Sequence, residues 1–133
     1  MSKITGNYVH QKNENLDAYY QTLGVPYVAR KMMSFTSPKL TITNEDDEWT
    51  ITTSTTLRTI TLKFKLGEEY DEDMPKGKLR STTTLENDSL KTVSVGPEDT
   101  KITRVYSCTD DGCVLTLRHD ESGTEAKRYF KRA

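Results

Sequence analysis

Apolar residues are scarce in this chain. Only 33% of its 133 residues are hydrophobic or aromatic, against roughly 45–50% apolar plus glycine in an ordinary domain. No apolar run approaches the length of a transmembrane span. The opening Met1-Ser2-Lys3-Ile4-Thr5-Gly6 has no apolar core of signal-peptide length, so a cytoplasmic protein is expected. An excess of charge of one sign is also missing. The 19 Lys and Arg are interspersed with 20 Asp and Glu for a net charge of −1, which leaves no polybasic footprint for nucleic acid. Histidine is limited to His10 and His119, and neither has a nucleophile or metal-ligand neighbour at a recognisable spacing. The acidic runs 45–48 and 68–73 lack the Asp/Asn/Gly order of a calcium loop and read as solvated turns. No metal, no cofactor and no enzymatic activity are therefore expected. Linkers, composition shifts and low-complexity runs are absent too, so residues 1–133 are expected to form one domain.

Cysteine is almost absent. Cys108 and Cys113 flank Thr109-Asp110-Asp111-Gly112, a good hairpin loop, and no CxxC or metal spacing is present. Paired strands would bring the two within disulfide reach, but a reducing compartment predicts free thiols.

What is there begins with one helical stretch, Asn15 to Phe35. Leu16, Tyr19 or Tyr20, and Leu23 recur at helical spacing, with Asn15 as a plausible N-cap and Asp17 suited to the positive end of the dipole. Gly24 supplies a left-handed stop, and Pro26 fits the first turn of a second helix. Val28, Met32 and Phe35 give that second helix an apolar stripe before Ser37-Pro38 ends it. Helices this short need a surface to lie on.

The remainder reads as strand after strand. Leu40 to Thr43, Trp49 to Thr52, Thr59 to Phe64, Lys78 to Leu85, Leu90 to Val95, Thr100 to Cys108, Cys113 to His119 and Thr124 to Lys131 alternate, following an opening strand at Asn7 to His10. Turn chemistry separates them: Asn44-Glu45-Asp46-Asp47, Gly67 with the acidic run, Glu86-Asn87-Asp88, Gly96-Pro97-Glu98-Asp99, Asp110-Asp111-Gly112 and Glu121-Ser122-Gly123. About ten short strands joined by hairpins predict an up-and-down antiparallel sheet that closes on itself and so removes its edges. The chain also holds 21 threonines. Low apolar content with this pattern fits a thin core under a Thr-rich solvated face. The second reading is a barrel whose interior holds water and a ligand.

Periodicity leaves the inner face open. Ile102, Arg104, Tyr106 and Cys108 share one side of their strand, and Thr103, Val105 and Ser107 the other. In the last strand Glu125, Lys127, Tyr129 and Lys131 oppose Ala126, Arg128 and Phe130. Each strand mixes apolar and charged residues on at least one side, so Arg104 and Lys127 read first as solvated surface charges.

Across essentially its whole length the chain resembles the intracellular lipid-binding proteins, the cytosolic fatty-acid- and retinoid-binding family. Gly6-Asn7-Tyr8 carries the resemblance, with Asn15-Leu16-Asp17-Ala18-Tyr19, Leu23-Gly24-Val25-Pro26 and Arg30-Lys31. Ser54-Thr55-Thr56-Leu57 and Phe64-Lys65-Leu66-Gly67-Glu68-Glu69-Tyr70-Asp71-Glu72 add to it, as do Arg104, Leu115-Thr116-Leu117 and Lys127-Arg128-Tyr129. Tyr8, His10 and Leu16 depart from the family's usual Trp, aliphatic residue and Phe. Its Arg-x-Tyr in the last strand is met here by Lys127-x-Tyr129, a point charge in place of a planar fork.

The resemblance implies an all-β, ten-stranded antiparallel up-and-down barrel, or β-clam, with a helix-turn-helix lid between the first two strands. It implies a monomeric, non-enzymatic cytoplasmic carrier of a long-chain fatty acid, the carboxylate held by Arg104, Lys127 and Tyr129, with Arg128 facing outward. Leu16, Tyr19, Met32, Met33, Leu57, Leu115 and Leu117 would line the cavity or its portal, with Tyr27 beside it. A retinoid or another amphipathic acid is the alternative ligand. A membrane-surface or protein-interaction module is the alternative class, since Arg30 and Lys31 on the lid would meet anionic lipid in a transient membrane contact.

Overall fold

The alternating pattern folds into a nearly closed barrel. The computed structural model describes residues 4–56, 58–74 and 77–133, and its ten strands form one antiparallel sheet. In chain order these are β1 (Gly6–Glu14), β2 (Lys39–Glu45), β3 (Glu48–Ser54), β4 (Thr59–Lys65) and β5 (Tyr70–Met74). They continue as β6 (Gly77–Glu86), β7 (Ser89–Val95), β8 (Lys101–Cys108), β9 (Gly112–His119) and β10 (Thr124–Arg132). Helices α1 (Leu16–Thr22) and α2 (Tyr27–Phe35) lie between β1 and β2. The order around the sheet is β4-β3-β2-β1-β10-β9-β8-β7-β6-β5, so the first and last strands pair. The seam therefore falls between β4 and β5, consecutive strands that stand at opposite ends of the order. Phe64 and Tyr70 stack across it with ring centroids 5.2 Å apart.

The inner face divides into two chemistries. On β2, β3, β7 and β8 the inward positions Leu40, Ile42, Trp49, Ile51, Leu90 and Ile102 are apolar and buried. On β6 and β7 the same period-2 rule turns hydroxyls inward, and Ser81, Thr83, Thr92 and Ser94 are all buried. They satisfy one another, with Ser81 and Ser94 oxygens 2.7 Å apart and Thr83 and Thr92 oxygens also 2.7 Å apart. The low apolar content is thus explained in part by a hydroxyl-lined wall. One expectation is corrected here: the acidic run 68–73 is not wholly a turn. Its second half is β5, which carries Glu72 into the interior.

The helices differ from expectation in detail. Asn15 takes a left-handed conformation at φ 56° and makes no side-chain cap; its Nδ2 donates to the Glu125 carbonyl at 2.9 Å, tying the helix entry to β10. Gly24 does supply the left-handed stop, at φ 81°. Pro26 stands at the N-cap of α2, one position before its first turn. α1 packs on β9 and β10 and buries Leu16 and Tyr19, whereas α2 packs on α1. Arg30 Nε reaches Asp17 Oδ1 at 3.1 Å to hold the two helices together. The apolar stripe of α2 faces solvent, with Val28 68% and Phe35 83% exposed.

The free-thiol expectation is corrected as well. Cys108 and Cys113 stand directly opposite each other at the end of the β8–β9 hairpin and are joined in a disulfide.

Candidate functional site

Strand register decides which cations face inward. Directly opposed residues in an antiparallel ladder share a face. Arg104 opposes Leu117, which opposes Ala126; Tyr106 opposes Leu115, which opposes Arg128; Cys108 opposes Cys113, which opposes Phe130. Leu115, Leu117, Ala126, Arg128 and Phe130 are all buried. The inward side of β10 is therefore Ala126, Arg128 and Phe130. Lys127 and Tyr129 lie on the outside, the reverse of the expected arrangement, because a shift of one residue moves a strand's whole pattern to the other face. Tyr129 is half-buried, donates its hydroxyl to Glu14 and lies beneath its ladder partner Lys12, whose Nζ is 4.8 Å from the ring centroid. The family spacing Arg-x-Tyr is thus met on the inner face by Arg128-x-Phe130, where a phenyl ring replaces the hydroxyl.

Arg104 does face inward, and it is already paired. Its Nη1 donates to Glu72 Oε1 at 2.9 Å, its Nη2 to Glu72 Oε2, and Nη2 also to Ser94 Oγ at 3.0 Å. Ser81 Oγ donates to Glu72 Oε2 at 2.5 Å. Burial alone would raise the Glu72 carboxyl, but the Arg104 hydrogen bonds and charge outweigh it and hold Glu72 below its ordinary 4.5. Burial alone would likewise lower Arg104, and the same pairing holds it above the ordinary arginine value instead. Tyr106, buried beside Arg104, has its phenol pushed up to about 12 by burial. Tyr70 joins the network through Thr83, the two oxygens lying 2.8 Å apart.

Arg128 is in the opposite condition. Its Nε donates to Asn13 Oδ1 at 3.0 Å and its Nη2 reaches the Thr36 carbonyl at 3.4 Å. The Tyr20 phenol of α1 lies beside it. No carboxylate among the described residues pairs with it, and burial pushes the guanidinium below its ordinary value. No site role was expected of Asn13, Tyr20 or Glu72, and Arg128 was expected to face outward. The signal on β10 was the apolar majority of Ala126, Arg128 and Phe130; for Glu72 it was Tyr70-x-Glu72 alternating on past Gly67.

Of the expected lining residues, Leu16, Tyr19, Leu115 and Leu117 belong to the buried core. Met32 and Met33 lie exposed on α2, and so does Tyr27. Arg30 and Lys31 approach the Tyr27 ring at 5.5 Å and 5.4 Å from its centroid. Leu57 lies outside the described residues. Among the described residues no three His, Cys, Asp or Glu side chains are placed to hold a metal, and no helix is long and apolar enough to cross a membrane.

A family model described as lipocalin / cytosolic fatty-acid binding protein matches residues 5–119. The chain belongs to that family. A fatty acid-binding protein of Tyrophagus putrescentiae is 35% identical over 99% of each chain. Retinoid-binding protein 7 of Mus musculus is 32% identical over 98% of this chain and 97% of its own. A Schistosoma mansoni fatty acid binding protein, solved in complex with arachidonic acid, superposes with a TM-score of 0.91 at 27% identity, covering 100% of this chain and 98% of that one. Family and fold together support a lipid carrier.

Proposed function

We propose that this protein is a monomeric, non-enzymatic cytoplasmic carrier that takes a long-chain fatty acid into the barrel with its carboxylate on Arg128. The observation that carries this reading is the contrast in partners. Arg104 is neutralised by Glu72, whereas Arg128 is 8% exposed with no carboxylate beside it among the described residues. A buried charge without a counter-ion is costly, and a fatty acid brings one. The Tyr20 hydroxyl at Arg128 stands in for the one that Phe130 lacks. Leu16, Tyr19, Leu115 and Leu117 offer the tail apolar contact, which contributes about 0.8 kcal/mol per methylene buried. Over a long chain that exceeds the several kcal/mol lost in immobilisation. Arg104 contributes to the field of the interior, with its charge already offset.

The retinoid-binding relative favours a second reading in which a retinoid or another amphipathic acid uses the same cation. In either case unloading is assigned to α2, whose exposed Val28, Met32 and Phe35 with Lys31 beside them suit transient contact with anionic lipid.

Replacing Arg128 with Gln tests the head-group site. Oleate binding should weaken by about 1.5–3 kcal/mol, as for a charge-assisted hydrogen bond, with oleyl alcohol barely affected. Equal loss for acid and alcohol would refute the assignment. Mass spectrometry of small molecules extracted from the purified protein identifies the ligand class.

A further inference from the structure

A histidine shares Asn13 with Arg128. His10 stands opposite Phe130, and the two rings meet edge to face with centroids 5.6 Å apart. The register of β1 against β10 slips between His10 and Lys12, so Asn13 comes to oppose Arg128 on the same inner face. Asn13 Oδ1 then meets two groups, Arg128 Nε at 3.0 Å and His10 Nε2 at 2.6 Å. The arginine N–H can only donate, so the atom facing it is an acceptor. His10 Nε2 must also donate to that oxygen, and in a neutral ring the remaining nitrogen is a lone pair. That nitrogen, Nδ1, is buried and has no hydrogen-bond partner among the described residues.

Charge around the ring is one-sided. Burial, and after it the Arg128 charge, holds the imidazole below its ordinary 6.5 against the opposing pull of Asn13 and the Lys12 backbone. Arg128 is the charged side chain that acts on it. Lys12 lies outside over Tyr129, and Glu14 is engaged by the Tyr129 hydroxyl. From α1, Tyr20 reaches the same guanidinium with an uncharged phenol.

We propose that His10 is a second, proton-dependent partner of the anionic ligand. When an anion pairs with Arg128, His10 Nδ1 takes one proton from solvent, and the imidazolium shares the head group with the guanidinium. The inference rests on the carrier reading that puts the anion on Arg128. Pairing removes the repulsion that keeps the ring neutral and adds an attracting charge, so both changes favour the proton. The sign follows from linkage. A group whose proton affinity is higher in the complex tightens binding as pH falls through its bound value, until the free protein is protonated too.

The test uses hexadecanesulfonate, whose head group stays charged throughout the range, so titration of the ligand itself does not enter. For the wild type, affinity should rise about threefold or more between ~pH 8 and ~pH 5.5, with net proton uptake in calorimetry across buffers of different ionisation enthalpy. In His10→Leu the pH dependence and the uptake should both vanish. In His119→Gln, on a residue bonded to Ser122 at the end of β9, both should persist. A wild type that binds sulfonate with flat pH dependence and no proton uptake would overturn the role of His10 and leave the carrier reading intact. So would an unchanged response in His10→Leu. If neither sulfonate nor oleate binds, the carrier reading fails and this inference with it. Should His10→Leu not fold, the 15N shift of His10 Nδ1 in the wild type reads the proton directly. It should move to the protonated range on adding sulfonate at about pH 6.5, near the ordinary histidine value, and no movement would refute the proposal.

Discussion

Two arginines face the same interior from strands two apart in the sheet, and they do different things. Arg104 is locked by Glu72, Ser94 and, through Glu72, Ser81. Its charge is cancelled within the protein, so it belongs to the architecture of the β5–β8 wall. Arg128 has an amide, a carbonyl and a phenol around it but no anion among the described residues. What distinguishes them is the carboxylate, which a buried cation needs and an anionic ligand can bring.

The largest effect should come from breaking the satisfied pair. Arg104→Met leaves Glu72 buried without its cation and should lower stability to urea by about 3–5 kcal/mol, as breaking buried ion pairs does. Arg128→Met strands no carboxylate, so the ligand-free protein should change by about 1 kcal/mol or less. Similar losses in the two variants would abolish the distinction. The next effect concerns the hairpin that carries Arg104. The Cys108–Cys113 bridge closes a short loop, of sequence separation 5, and Cys113→Ser should cost about 2 kcal/mol, matched by adding reductant to the wild type. No counterpart ties β10, so the same reductant should leave oleate affinity nearly unchanged.

Acid sharpens the comparison further. Glu72 is held below 4.5 in the folded protein, so its contribution is present above the unfolded value and is lost as pH falls through the folded one. Stability curves of wild type and Arg104→Met should converge below that pH, while those of wild type and Arg128→Met should stay parallel there. The smallest effect belongs to the outer face. Lys127→Gln and Tyr129→Phe should each alter oleate binding by less than about 0.5 kcal/mol, the usual range for surface substitutions. A large loss from either would return the carboxylate site to the outward positions and remove Arg128 from the account.

The regular turns and alternating runs made the strands and the up-and-down order legible, because turn residues and period-2 alternation are local properties of the backbone. Leu16, Tyr19 and Gly24 made α1 and its stop legible for the same reason. β5 was hidden by the charge of residues 68–73, since Glu72 is buried only because Arg104, 32 residues away, faces it. The stripe on α2 was visible, but its direction was not: Asp17 pairs with Arg30 and sets that helix on α1 with Val28 and Phe35 outward.

By itself, then, the sequence determined a family, a strand count within one and a set of inward-capable cations. Which of two adjacent residues, Lys127 or Arg128, enters the barrel was decided only by tertiary structure. Both faces of β10 carry charge and aromatic rings, so local preference is nearly balanced. The balance is broken by the ladder to β9, where buried Leu115 and Leu117 bring Arg128 and Ala126 with them. The cysteines show the same division. Their loop marks a hairpin, but only the pairing of β8 with β9 put Cys108 directly opposite Cys113.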